Sequence, residues 1–181
     1  MTTTIEPPAN AVAKDAHWAA KLERLRNRNR PVAKLTICDD ETVKEALGEA
    51  QYEERQAKRL LEVDPSDANL KKRVAAATRA VSKAQAAFDE EAIVLRFQAL
   101  ERPVFEALKK AHPASEEQSD DGLEYDVETM GPKLIAQSSL DGITEEDAAH
   151  YLNTWAEGEA AQLFQTAWDV QQVTRLDVGK G

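Results

Sequence analysis

A single cysteine, Cys38, excludes an internal disulfide, so nothing in the chain calls for an oxidising compartment. Only 7 glycines occur among 181 residues, and no glycine-rich phosphate loop, nucleophile elbow or zinc signature is present. No apolar run approaches the roughly 20 residues that span a bilayer. Met1 to Asn10 is polar and Pro-containing, without the apolar segment of a secretion signal. Positive charge is short as well: 23 Lys and Arg against 33 Asp and Glu leave a net charge of −10. Phosphate backbones would be repelled, so no nucleic acid is expected as partner, and the missing apolar run leaves no membrane expected either. The three histidines, His17, His112 and His150, stand far apart in sequence with no second ligand at metal spacing. His112 beside Pro113 reads as a helix end. Cys38 adjoins Asp39 and Asp40, the opposite of the electropositive setting that a nucleophilic thiol needs. Asp120-Asp121-Gly122 and Asp141-Gly142 lack the alternating oxygen ligands of a calcium loop. The sequence therefore predicts a binding protein and no enzyme, with neither cofactor nor metal.

Ala, Glu, Lys, Gln and Leu are plentiful, which favours helices. Two apolar stripes with 4-3-4-3-4 spacing dominate the first half. Val43, Leu47, Ala50, Glu54, Ala57 and Leu61 form the first; Leu70, Val74, Ala77, Val81, Ala84 and Phe88 form the second. Between them, Asp64-Pro65-Ser66-Asp67 suggests a cap at Asp64, Pro65 in the first helical position and Asp67 answering the cap. The pattern predicts an antiparallel helical hairpin, an elongated surface that encloses no pocket. Val43, Leu47, Leu61, Val74 and Val81 are the candidate partner-binding residues, either toward a client or toward each other.

A period of two flanks the hairpin on both sides. Val32 to Cys38 places Ala33, Leu35 and Ile37 on one face, and Ile93 to Leu100 does the same with Ile93, Leu95, Phe97 and Ala99. The two strands should pair, with the hairpin projecting as their connection. Downstream, Glu101-Arg102-Pro103 opens a helix with Val104, Phe105 and Leu108 that stops near His112-Pro113. Ala114 to Asp126 reads as an acidic loop that Leu123 and Tyr125 could anchor. Val127 to Ser138 offers Met130, Leu134 and Ile135 as a short helix with Pro132 near its start. Thr144-Glu145-Glu146-Asp147 is a capping pattern, and the helix it opens carries Ala148, Ala149, Leu152 and Trp155 inward. A break at Glu157-Gly158 precedes a last helix with Leu163, Phe164, Ala167 and Trp168.

The fold expected is mainly α with a small two-stranded β element. Its parts are a flexible basic arm over residues 1–31, a strand–hairpin–strand–helix unit over 32–112, an acidic loop over 113–126, a C-terminal helical module over 127–175 and a flexible tail over 176–181. Within the arm, Trp18, Leu22 and Leu25 fall at helical spacing among six basic residues. The expected core is Leu35, Ile37, Leu95, Phe97, Phe105, Trp155, Leu163, Phe164 and Trp168.

The order of these parts resembles the tail assembly chaperones of long-tailed phages that infect actinobacteria. The likeness covers about residues 32–173 and is strongest from Ile93 onward. It is carried by Val32-Ala33-Lys34-Leu35-Thr36-Ile37-Cys38-Asp39, by Ile93-Val94-Leu95-Arg96-Phe97-Gln98-Ala99-Leu100, by Tyr125-Asp126-Val127-Glu128-Thr129 and by Trp155, Gly158-Glu159 and Leu163-Phe164. Where that family often has Asn in an aromatic–Asn–Val–Asp–Thr run, this chain has Asp126. The resemblance implies a non-enzymatic protein of the infected cell's cytoplasm that coats the tape-measure protein until tail-tube subunits polymerise around it. Tape-measure protein, tail tube protein, a longer frameshifted form of the chain and further copies of itself are the partners it implies. Val178-Gly179-Lys180 can be encoded by a slippery run, which would make this chain the shorter product. The alternative is a tail or connector component retained in the virion.

Overall fold

The computed structural model describes residues 18–120, 122 and 124–174. The expected arm residues before Trp18, Leu123 of the acidic loop, the tail at 176–181 and the slip site all lie outside the described residues. The chain divides into two units, residues 1–31 and residues 32–181. In the first, α1 (Trp18–Arg26) is helical as its 3.6-residue spacing predicts, with Asn27 donating to Glu23 across its end at 2.6 Å.

The second unit is mainly helical with one two-stranded antiparallel sheet, the fold class read from the sequence. Strands β1 (Val32–Ile37) and β2 (Ile93–Gln98) pair with Leu35 opposite Leu95 and Ala33 opposite Phe97. Each is shorter than its alternating pattern: Cys38 and the Ala99-Leu100 pair lie beyond the ladder. The strands and the later helices share one core. Phe97 from β2 is fully buried beside Leu108 of α4 (Arg102–Ala111), Met130, Leu134 and Ile135 of α6 (Val127–Ser138), Ala148 of α7 (Glu145–Thr154), and Leu163, Ala167 and Val170 of α8 (Glu157–Gln172). Leu35, Leu95, Phe105, Trp155, Phe164 and Trp168 pack partly buried against that cluster, whereas Ile37, half-buried, lies outside it.

Several boundaries moved for local reasons. The expected loop contains α5 (Glu116–Asp120), a single turn in which Ser115 and Gln118 bond each other's backbone N–H. Pro132 lies mid-helix, where it forgoes the bond to the Glu128 carbonyl. Beside it, buried Gly131 faces Leu152 and Phe164, where an added Cβ would stand 3.4 Å from each, an ordinary packing contact. The break before α8 falls at Trp155-Ala156, not at Glu157-Gly158, and Gly158 is inside the first turn. The capping box at Thr144 and Asp147 is complete in both directions.

Carboxylates do much of the local fastening. Asp141 accepts from the Arg96 backbone at 2.6 Å and from its guanidinium at 2.9 Å, tying the turn after α6 to the outer edge of β2. The guanidinium bond holds the Asp141 carboxyl below its ordinary value, and the Thr144 hydroxyl does the same for Asp147. Asp40, Asp64 and Asp126 are lowered mainly by the hydroxyls of Thr42, Ser66 and Thr129. Depressed carboxyls contribute stability that is complete above their unfolded-state values and lost as pH falls through the folded ones. The thermal midpoint is therefore expected to fall as pH drops from 7 to about 3. Asp141→Asn should lower the midpoint at neutral pH and make the acid decline shallower, measured by circular dichroism melts across that range. A decline as steep as in the parent would show that Asp141 takes no part.

Candidate functional surface

The connection between the strands is the hairpin of α2 (Glu41–Val63) and α3 (Ala68–Glu91), each about 35 Å long at the helical rise. Asp40 caps α2 by accepting from the Thr42 and Val43 backbones at 2.8 and 3.2 Å. At the tip the roles differ from expectation. Asp64 ends α2 and accepts from Ser66, Pro65 lies in the turn, and Asp67 caps α3 through Asn69 and Leu70. Asp64 is drawn to Ser66 because an Asx turn completes at two residues' distance, leaving Asp67 as the next free acceptor.

All twelve stripe positions are at least half-buried along the seam between the two helices, and Ala57 is fully enclosed. Val43, Leu47, Leu61, Val74 and Val81 thus line a seam between the hairpin's own helices. Glu54 belongs to the seam through Thr78, whose hydroxyl donates to it at 2.7 Å. That bond and the Lys58 ammonium lower the Glu54 carboxyl. No hairpin residue belongs to the shared core.

What the hairpin presents outward is a different set. Tyr52, Leu60 and Val63 are 54%, 43% and 85% exposed. Spaced by 8 and 3 residues, they share the face of α2 turned from α3, in the half of the arm nearest its tip. Along α3 the outer positions include Ala75, Ala76, Ala80, Ala86 and Ala87, all exposed. The first stripe's regular period hid this second, sparser one.

A second apolar surface lies at the arm's base. Ile37, Ile93 and Leu95 floor a cleft of about 410 Å³ walled by Tyr151, Trp155, Asp39 and Glu159. The Tyr151 and Trp155 rings stack at 4.9 Å and 20°, which stiffens the wall. Trp155 therefore serves both core and cleft, whereas Ile37, expected in the core, lies outside the core cluster and lines the cleft.

The candidates for chemistry meet no reacting partner. His112 caps α4 with its backbone, while its Nδ1 lies 3.0 Å from Thr129 Oγ1. The Thr129 hydroxyl donates to Asp126 at 2.9 Å, so Nδ1–H is the donor to Thr129. This chain of bonds fastens the end of α4 to the start of α6. Tyr125 anchors the acidic segment by packing 4.7 Å from Trp168 and bridging to Pro113. His150 is exposed, His17 lies outside the described residues, and Cys38 Sγ reaches only the Asp40 carbonyl, at 3.8 Å. Among the described residues no group of three or more His, Cys, Asp or Glu could hold a metal ion, and no helix is long and apolar enough to cross a membrane. No protein-family model, curated protein or solved structure matches this chain.

Proposed function

We propose that the protein is a phage tail assembly chaperone that binds the tape-measure protein and keeps it dispersed until the tail tube forms. The single observation that carries this reading is the self-satisfied arm, two paired helices absent from the shared core with Tyr52, Leu60 and Val63 exposed toward its tip. An apolar helix of a client can lie along such a face, while the net charge of −10 keeps the complex soluble. Contact residues move accordingly from the seam to Tyr52, Leu60 and Val63.

The test is co-expression with the tape-measure open reading frame of the same genome. Client that pellets alone should become soluble and elute with several copies of the chain. Leu60→Glu together with Val63→Glu should lower soluble client about tenfold or more, equivalent to a loss of about 1.4 kcal/mol in binding, with the chaperone's own melting curve unchanged. Client that stays in the pellet beside monodisperse parent chain would overturn the proposal. Finding the chain at fixed copy number in purified particles would favour a virion component instead.

A further inference from the structure

The sheet has only two strands, and each has an outer edge. That of β2 is covered at one end. The Arg96 N–H meets Asp141, the Arg96 carbonyl accepts from Leu140 at 2.8 Å, and Phe97 bridges to Ser139. Arg96 therefore turns both backbone groups away from β1. Its register partner is Lys34, so Val32, Lys34 and Thr36 turn theirs away from β2. Among the described residues no strand or loop pairs with that outer edge of β1. Lys34 and Thr36 are exposed; no proline or bulge lies within the strand, Pro31 stands just before it, and Lys34 is the one charge guarding the edge.

We propose that this edge pairs with the same edge of a second copy, antiparallel, about a two-fold axis at Leu35. The strand is self-complementary in that register. Lys34 lies opposite Thr36 of the second copy and exchanges both backbone bonds with it, and Val32 lies opposite Cys38. On the core-facing side, Leu35 meets Leu35 and Ala33 meets Ile37, so the apolar face continues across the axis. Of the two neighbouring registers, one would set Lys34 against Lys34, a like-charge pair directly opposite and hence disfavoured. The other, centred on Thr36, would leave Val32 and Ala33 beyond the end of the partner strand. The space beside the edge fits the same reading. A cleft of about 410 Å³ is lined by Leu35, Thr36, Ile37 and Cys38 on one side and by Phe88, Trp155 and Gln162 on the other. It gives room for the second copy's Leu35 and Ile37 against Phe88 and Trp155, with Lys44 and Glu159 at its polar margin. Two marginal two-stranded sheets become one of four strands, with the closed isologous symmetry common to dimers.

Sedimentation velocity on the full chain, at concentrations up to about 1 mM, is the direct test. The expected mass is twice the 20.0 kDa of one chain. Thr36→Pro removes only an outward N–H and should return the chain to a monomer with unchanged circular dichroism. Thr36→Lys sets a like charge opposite Lys34 and should weaken association at least tenfold. Combining it with Lys34→Glu places opposite charges across the axis and should restore the dimer. Should the proline variant fail to fold, the two charge variants decide alone. A monomer at every concentration overturns the proposal, as does a dimer indifferent to Thr36→Lys or a double variant no tighter than that single one.

Discussion

Replacing Phe97 with Ala should lower the unfolding free energy by about 3–5 kcal/mol, a large part of the roughly 5–15 kcal/mol that holds an ordinary domain together. Phe97 is fully buried at the centre of the shared core, on a strand whose backbone is fixed by Ala33 on one side and Ser139 on the other. The vacated volume has little means of collapsing, because β2 cannot slide without breaking both pairings. Trp155→Ala should cost clearly less despite the larger ring removed. Its side chain is half-buried on the wall of a cleft, so its loss widens an existing opening. The specific loss is the stack on Tyr151, worth about 0.5–1.5 kcal/mol. Urea titrations of both variants, read as a shift in midpoint at constant slope, check the pair. Equal losses would mean that Trp155 is core and that the cleft at the arm's base is closed in solution.

Much of this architecture is legible in the chain because its signals are local. A period of 3.6 continued over Val43–Leu61 and Leu70–Phe88 can only be satisfied by helices that hide those residues. A period of two at Ala33–Ile37 and Ile93–Phe97 fixes which faces of the strands turn inward. Thr144 and Asp147 announce a helix start because the cap is made within four residues. Tertiary facts were less legible. That one core joins β2 to α6, α7 and α8 gathers residues from Phe97 to Val170 that lie far apart in sequence, which no local period reveals. Asp64 and Asp67 are chemically equivalent, and only the turn geometry assigns one to the end of α2 and the other to the start of α3.

The candidate surface was half legible. The sequence singles out the hairpin but points to its most regular apolar positions, which are the ones a partner helix of the same chain consumes first. A face left over after intramolecular pairing is necessarily the less periodic one, here the proposed contacts Tyr52, Leu60 and Val63. The free edge of β1 is likewise invisible in sequence. Whether Lys34 or Leu35 turns its backbone outward follows from the Arg96–Asp141 contact, which joins residues 45 positions apart.

Under the proposed function, excising the arm should leave a folded protein that no longer keeps the client in solution. Ile37 and Ile93 are directly opposite in the register, so residues 38–92 can be replaced by an Asn-Gly turn that closes β1 onto β2 as a simple hairpin. Every residue of the shared core remains, since none comes from α2 or α3. The shortened chain should unfold in one cooperative transition and lose helical signal in proportion to the 23 and 24 residues of α2 and α3. Its midpoint should stay near the parent's, because the contacts removed are those the two helices make with each other. Soluble client on co-expression should fall to the level seen when the client is expressed alone. An excised chain that is unfolded would show that the arm supports the core and would remove the idea of a separate binding arm. A folded one that still keeps the client soluble would move the contact to the cleft beneath Trp155 and Tyr151. The two results draw on different parts of the molecule, so folding and client solubility must be read on the same variant.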